Sequence, residues 1–124
     1  MMDLRPYQRL IAWQEGYKLC LIIYEKSQNF PKEEQYGLTS QVRRAATSVP
    51  LNIAEGNRKI SKRERAQFFE RSAASLEEVH CCSLLAHDLK YFEDDVFAQV
   101  DAQINRVSFL LTKLLNAIRT VANP

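Results

Sequence analysis

Between Tyr36 and Lys59 the chain carries a helical period with a proline set inside it, and no other segment constrains the fold as strongly. Leu38, Val42, Ala45, Val49 and Ile53 recur every three or four residues, the spacing of one face of an α-helix. Pro50 falls within that face. Proline has no N–H to donate, and its ring crowds the carbonyl four residues back. An interior proline therefore costs about 3 kcal/mol and bends a helix. The segment predicts a long, bent helix in which Asn52 offers its amide to the carbonyl freed at Ala46 or to a neighbouring subunit.

The rest of the chain extends the same period. Three glycines and four prolines in 124 residues are too few for a protein of strands and tight turns, and no segment alternates apolar and polar residues, which leaves an all-α fold. A chain of this length with 46% hydrophobic residues can bury one core, so residues 1–124 read as one domain. The first helix is expected from Tyr7 to Gln28, with Pro6 near its first turn. The second runs from Glu33 and Glu34 past Pro50 to Glu55 or Gly56, with Gly56-Asn57 as its stop. Ser61 and Glu64 form a capping-box pattern opening a third helix that ends near Lys90. Glu93, Asp94 and Asp95 seed the fourth, whose Val96, Val100, Ile104, Val107, Leu111, Leu114, Ile118 and Val121 form a bundle seam.

Four amphipathic helices joined by short loops favour an antiparallel up-down-up-down four-helix bundle. Leu19 to Tyr24 are six consecutive apolar residues. Such a run gives either a wide core stripe or a second buried surface, and on the latter reading a homo-oligomer forms through Tyr17, Leu21 or Tyr24.

No apolar run approaches the roughly 20 residues that span a bilayer, and the stretch from Met1 to Tyr7 lacks the apolar segment of a signal peptide, so a cytoplasmic protein without membrane contact is expected. Cys20, Cys81 and Cys82 are odd in number and fall in helical patterns, which suits reduced thiols. There is no glycine-rich phosphate loop and no nucleophile elbow, so neither an enzyme nor a cofactor or small-molecule substrate is expected. His80 and His87, with Glu77 and the neighbouring cysteines, could supply metal ligands. A single Glu-x-x-His pair falls short of the repeated pairs of two-metal bundles, and no metal site is assigned.

Charge is unevenly placed. The formal net charge is +2, yet between Arg43 and Arg71 eight Lys or Arg face only Glu55, Glu64 and Glu70. Arg58, Lys59, Lys62, Arg63 and Arg65 crowd the second loop and the start of the third helix, with Arg58, Lys62 and Arg65 spaced by four and three as on one helical face. Two readings stand: a phosphate-binding surface, or a solvated face in which Glu64 and Glu70 pair neighbouring bases. Of Arg43 and Arg44, one faces solvent and the other is expected to pair with Glu55, Glu25 or Glu78.

Several blocks together resemble the bacterial 23S rRNA intervening-sequence (S23-like) proteins: Ala12-Trp13-Gln14, Phe30 to Glu34, Tyr36 to Ala46, Ser48 to Gly56, and Phe68 to Leu76 with Glu78. The chain departs from that pattern at Gly16-Tyr17 and at His80-Cys81-Cys82. The resemblance implies a four-helix bundle assembling into a ring of five. It also implies kinship with the accessory proteins of diversity-generating retroelements, which bind a reverse transcriptase and its template RNA. The function expected is thus a non-enzymatic oligomer presenting a basic surface to RNA or a protein–RNA complex. The alternative is a structural or protein-binding oligomer with no nucleic-acid partner.

Overall fold

The computed structural model describes residues 3–122, with side chains described as far as residue 119. Four helices dominate: α1 (Ile11–Lys26), α2 (Leu38–Arg58), α3 (Lys62–Asp88) and α4 (Asp94–Ala122). Each packs laterally on two others, in the pairs α1–α2, α2–α3, α3–α4 and α4–α1. The direction of every sequential pair follows from its cross-contacts. On α1–α2, Gly16 lies against Val49 and Ile53, Cys20 meets Thr47, and Ser27 meets Arg43. On α2–α3, Ser48 meets Ser75, the Val49 carbonyl meets Ser72, and Gly56 lies against Phe69. On α3–α4, Glu70 pairs with Arg119, His80 with Asp101 and His87 with Asp94. In each pair one number rises as the other falls, so the bundle is antiparallel and up-down-up-down, as expected from the short loops.

The core runs the length of this cylinder. Leu19, Ile23, Val49, Ile53, Phe69, Val79, Val100 and Val107 are fully enclosed. Each contributes about 1.5–3 kcal/mol relative to an exposed position. In α4 the buried stripe follows Val100, Ile104, Val107 and Leu111, then steps to Leu115, leaving Leu114 and Ile118 only partly covered. A straight helix of 3.6 residues per turn drifts relative to a seven-residue repeat, and the stripe moves one position to follow it. Val121 lies outside the described side chains.

Three boundaries differ from expectation. The first helix begins at Ile11 and not Tyr7, because Pro6–Arg9 form a separate 3-10 turn and Leu10 is extended (φ −74°, ψ 126°). That turn closes on itself through Arg5 N–H donating to Gln8 Oε1 at 2.8 Å, and Leu10 drops onto the core. α2 begins at Leu38, after a 3-10 turn over Lys32–Glu34. Glu34 still serves that helix: its carboxylate accepts the Leu38 N–H at 3.0 Å and the Tyr91 hydroxyl at 2.9 Å, tying the start of α2 to the corner before α4. Finally, α2 does not stop at Gly56-Asn57 but continues to Arg58. Gly56 is there for close packing, since a Cβ on it would sit 2.8 Å from Phe69 Cε1 and 3.0 Å from Phe68 Cβ.

The helix persists on both sides of the buried Pro50. Around it α2 and α3 are joined by hydroxyls. Ser72 donates to the Val49 carbonyl at 2.8 Å, and Ser48 and Ser75 oxygens lie 2.8 Å apart. Asn52 is occupied by Ser48, donating to its carbonyl at 2.9 Å and its hydroxyl at 2.8 Å, and not by Ala46. One turn of helix brings the amide over residue 48, which is why the expected Ala46 contact does not form.

Candidate nucleic-acid interface

The basic cluster is built where α2 ends and α3 begins. Ser61 is the N-cap of α3, its hydroxyl accepting the Glu64 N–H at 3.3 Å, and Lys59 is extended (φ −70°, ψ 143°), so the chain turns sharply between the helices. Arg58 therefore belongs to α2, while Lys62 and Arg65 belong to α3, and the three do not share one helical face. The structure gathers them around a corner instead. Arg58, Lys62 and Arg63 are exposed, and none of the five basic residues forms an ion pair among the described residues.

The five do not present alike. Lys59 is partly buried with Nζ 5.1 Å from the centre of the Phe68 ring, and the Arg71 guanidinium lies 4.6 Å from the same ring. Cation–π attraction thus holds two cations over one aromatic and pins them at the edge of the cluster. Arg65 is partly buried, and its Nε has no hydrogen-bond partner among the described residues. Neither acid invoked by the solvated-face reading pairs with a neighbour on its own helix. Glu64 makes no ion pair among the described residues, and Glu70 reaches across to Arg119 on α4.

One contribution to this end was missed from sequence. Arg5 and Tyr7, in the first turn of chain, line a groove of about 660 Å³ together with Ala54, Glu55, Asn57, Arg58 and Lys59. The signal was topological: if α1 and α2 are antiparallel, the start of the chain must lie beside the end of α2. Glu55 is exposed there and pairs with no arginine among the described residues.

The paired arginines resolve differently from expectation. Among the described residues Arg43 has no carboxylate partner. Its Nε donates to Ser27 Oγ at 2.8 Å, its Nη2 to the Tyr24 carbonyl at 3.2 Å, and its guanidinium lies 4.9 Å from the Tyr24 ring centre. It is a brace that closes the end of α1 onto α2, and because it stays partly solvated no acid is required. Arg44 is exposed. Tyr17, Leu21 and Tyr24 are 47%, 55% and 43% exposed along the outer side of α1, and Tyr17 stacks on Trp13 with ring centres 4.8 Å apart.

The two histidines face aspartates. His80 Nε2 lies 3.5 Å from Asp101 and His87 Nε2 lies 2.8 Å from Asp94, with the His87 ring stacked on Phe97. Among the described residues no three His, Cys, Asp or Glu side chains converge on a metal-sized space. Burial, helped by Glu78 and Cys81, pushes the Cys82 thiol up, and burial does the same to Cys20 against a weak contact from Thr47. Raised pKa values favour the protonated thiol, the form that is not the nucleophile. At the α1–α4 seam, burial of Glu15 opposes ionisation, but hydrogen bonds from Arg106 and Gln103 and the charges of Arg106 and Lys18 hold its carboxyl below the ordinary value. Among the described residues no helix is long and apolar enough to cross a membrane.

The fold and the geometry of this end define a small all-α antiparallel four-helix bundle with a cluster of exposed cations at one end. The family model for the 23S rRNA-intervening sequence protein matches residues 8–113, and the chain belongs to that family. It is also similar to a crystal structure of a protein of unknown function from the S23 ribosomal protein family of Bacteroides thetaiotaomicron. That likeness has 15% identity and a TM-score of 0.76, covering 85% of this chain and 98% of the other. At that identity it speaks for the fold. No curated protein matches the chain.

Proposed function

We propose that this protein is a non-enzymatic, cytoplasmic, homo-oligomeric bundle that presents its basic end to RNA or to a protein–RNA complex, such as a reverse transcriptase with its template. The observation that supports this reading best is the exposure of Arg58, Lys62 and Arg63 at one corner with no acid paired to them among the described residues. Unneutralised cations held together on rigid helix ends attract phosphates, and each contact releases a counterion. Phe68 is engaged by Lys59 and Arg71, so the surface favours the backbone of a structured RNA over stacking of splayed bases.

A second reading, a structural or protein-binding oligomer, draws on the apolar surface. α1 exposes Tyr17, Leu21 and Tyr24, and α3, which is not among its lateral partners, exposes Leu84 and Leu85, with Leu89 exposed just beyond its end. Two different apolar faces on opposite helices suit head-to-tail contacts that close into a ring, and resemblance suggests five subunits. The readings are compatible, because the basic corner does not overlap either face.

The deciding experiment measures binding to a structured RNA as a function of salt, for the native protein and for Arg58→Gln/Lys62→Gln/Arg63→Gln. The native slope is expected to be steep, and the triple variant to lose about two to three units of it, close to one per phosphate contact. Helix content and subunit count should stay unchanged. Salt-insensitive binding, or a variant that binds as well as the native protein, would leave only the structural reading.

A further inference from the structure

The groove between the first turn of chain and the last turn and a half of α2 has a composition unlike the rest of the basic end. Its volume, about 660 Å³, lies within the range of small-molecule sites. Three of its walls are cationic: Arg5 and Arg58, both exposed, and Lys59, whose position is set by Phe68. None of the three forms an ion pair among the described residues, so against Glu55 the groove carries two uncompensated positive charges. Its remaining lining is apolar or aromatic, from Pro6, Ala54 and Tyr7, with Asn57 adding an amide. Tyr7 is held by Trp13, ring centres 5.0 Å apart at 71°, and Trp13 in turn stacks on Tyr17.

A ligand matched to these walls carries about two negative charges at one end and a flat, hydrogen-bonding body at the other. We propose that the groove binds a nucleoside monophosphate unit, with the phosphate between Arg5 and Arg58 and the base against Tyr7 and Pro6 where Asn57 can reach its edge. Planar guanidinium groups meet phosphate oxygens in pairs, and aromatic faces accept any base. Glu55 disfavours a ligand with more charge at the base end and can accept hydrogen bonds from ribose hydroxyls. The unit can be a free nucleotide or the phosphorylated end of a strand. This deepens the reading of the basic end as a phosphate-binding surface and rests on it. Arg5 distinguishes the groove from the corner, because it lines the groove and belongs to a different part of the chain from Lys62 and Arg63.

The test titrates the full chain with adenosine 5′-monophosphate, adenosine and inorganic phosphate. Binding is read by calorimetry and by the indole N–H resonance of Trp13, the only tryptophan. The monophosphate should bind and shift that resonance, with adenosine and phosphate each at least about tenfold weaker, since each lacks one half of the contacts. Arg5→Gln, at an exposed side chain whose backbone N–H keeps its bond to Gln8, should weaken the monophosphate about tenfold. Lys62→Gln/Arg63→Gln should leave it within about twofold. A short strand with a 5′-phosphate that outcompetes its 5′-hydroxyl counterpart identifies strand ends as the source, whereas equal competition identifies free nucleotide. Phosphate binding as tightly as the monophosphate, or an Arg5→Gln variant unchanged towards it, overturns the proposal. Salt-sensitive binding of structured RNA without any monophosphate response refutes the groove and leaves the corner standing. Absence of both refutes the two together.

Discussion

Replacing Gly56 with alanine tests the packing at the basic end most directly. The new methyl would lie 2.8 and 2.9 Å from Phe69 Cε1 and Cδ1 and 3.0 Å from Phe68 Cβ, well inside the 3.5–4.0 Å at which carbon atoms attract. Phe69 is fully buried, so its ring can give way only by displacing other core atoms, and overpacking of this kind costs about 1–3 kcal/mol. Against that, alanine gains about 1 kcal/mol over glycine within a helix. With the cost near its upper end, the net loss is about 2 kcal/mol, or about 8 °C in melting temperature for a domain of this size. Gly16→Ala is the matched control. Its methyl would have Val49 Cγ1 at 3.2 Å as its one tight neighbour, with Ile53 Cδ1 at 3.5 Å and Pro50 N at 3.9 Å in ordinary contact, so strain and propensity should nearly cancel. Urea unfolding at one protein concentration measures both. Trimming the obstructing ring with Phe69→Leu should cost less in the Gly56→Ala background than in the native one, a positive coupling between the two sites. A Gly56→Ala protein as stable as the native one would refute the reasoning, because it would mean that the helix ends separate at no cost.

Acidification addresses the α1–α4 seam. Glu15 titrates below the ordinary carboxylate value in the folded protein, so its contribution is fully present above about pH 4.3 and is lost as pH falls through the lower folded value. The difference in urea stability between native protein and Glu15→Gln, at most about 1 kcal/mol at pH 7, should therefore shrink towards pH 3; a constant difference would rule out this linkage. Pro50→Ala should straighten α2 and weaken assembly more than folding, seen by light scattering as dissociation of a still helical protein. An unchanged oligomer would show that the proline is tolerated and not used, and a native protein that is monomeric at tens of micromolar would dispose of the ring itself.

Helix number and order were legible because they depend on periods and caps that lie within single segments, the Leu38 to Ile53 stripe, Ser61 before α3, Asp94 and Asp95 in the first turn of α4, and direction because the connections are short. The family was legible for the same reason. What escaped the sequence depends on which segments meet. Gly56 has the appearance of a helix stop in one dimension, and only Phe69 on the next helix explains it. Arg43 looked as though it needed an acid, yet a hydroxyl, a carbonyl and a ring from α1 satisfy it. Arg58, Lys62 and Arg65 are regularly spaced in the chain but are separated by a corner in space. Arg5 joined the basic end through topology alone, 53 positions away from Arg58 in the numbering.

The ring of four helices has one joint that no loop provides. Three of its seams join helices consecutive in the chain and can zip from a nearby turn, whereas α1 and α4 meet only after almost the whole polypeptide has been laid down. That joint also has the least extensive packing of the four, tied by three hydrogen bonds among Glu15, Gln103 and Arg106, while α2 and α3 form the most extensive pair. Closing the longest loop costs the most chain entropy, so this seam is expected to form last in folding and to part first. In hydrogen exchange, amides of α2 and α3 should outlast those of α1 and α4. A molecule that opens along α1 can exchange that helix with a second copy, turning the weakest seam of the monomer into a route by which chains become joined.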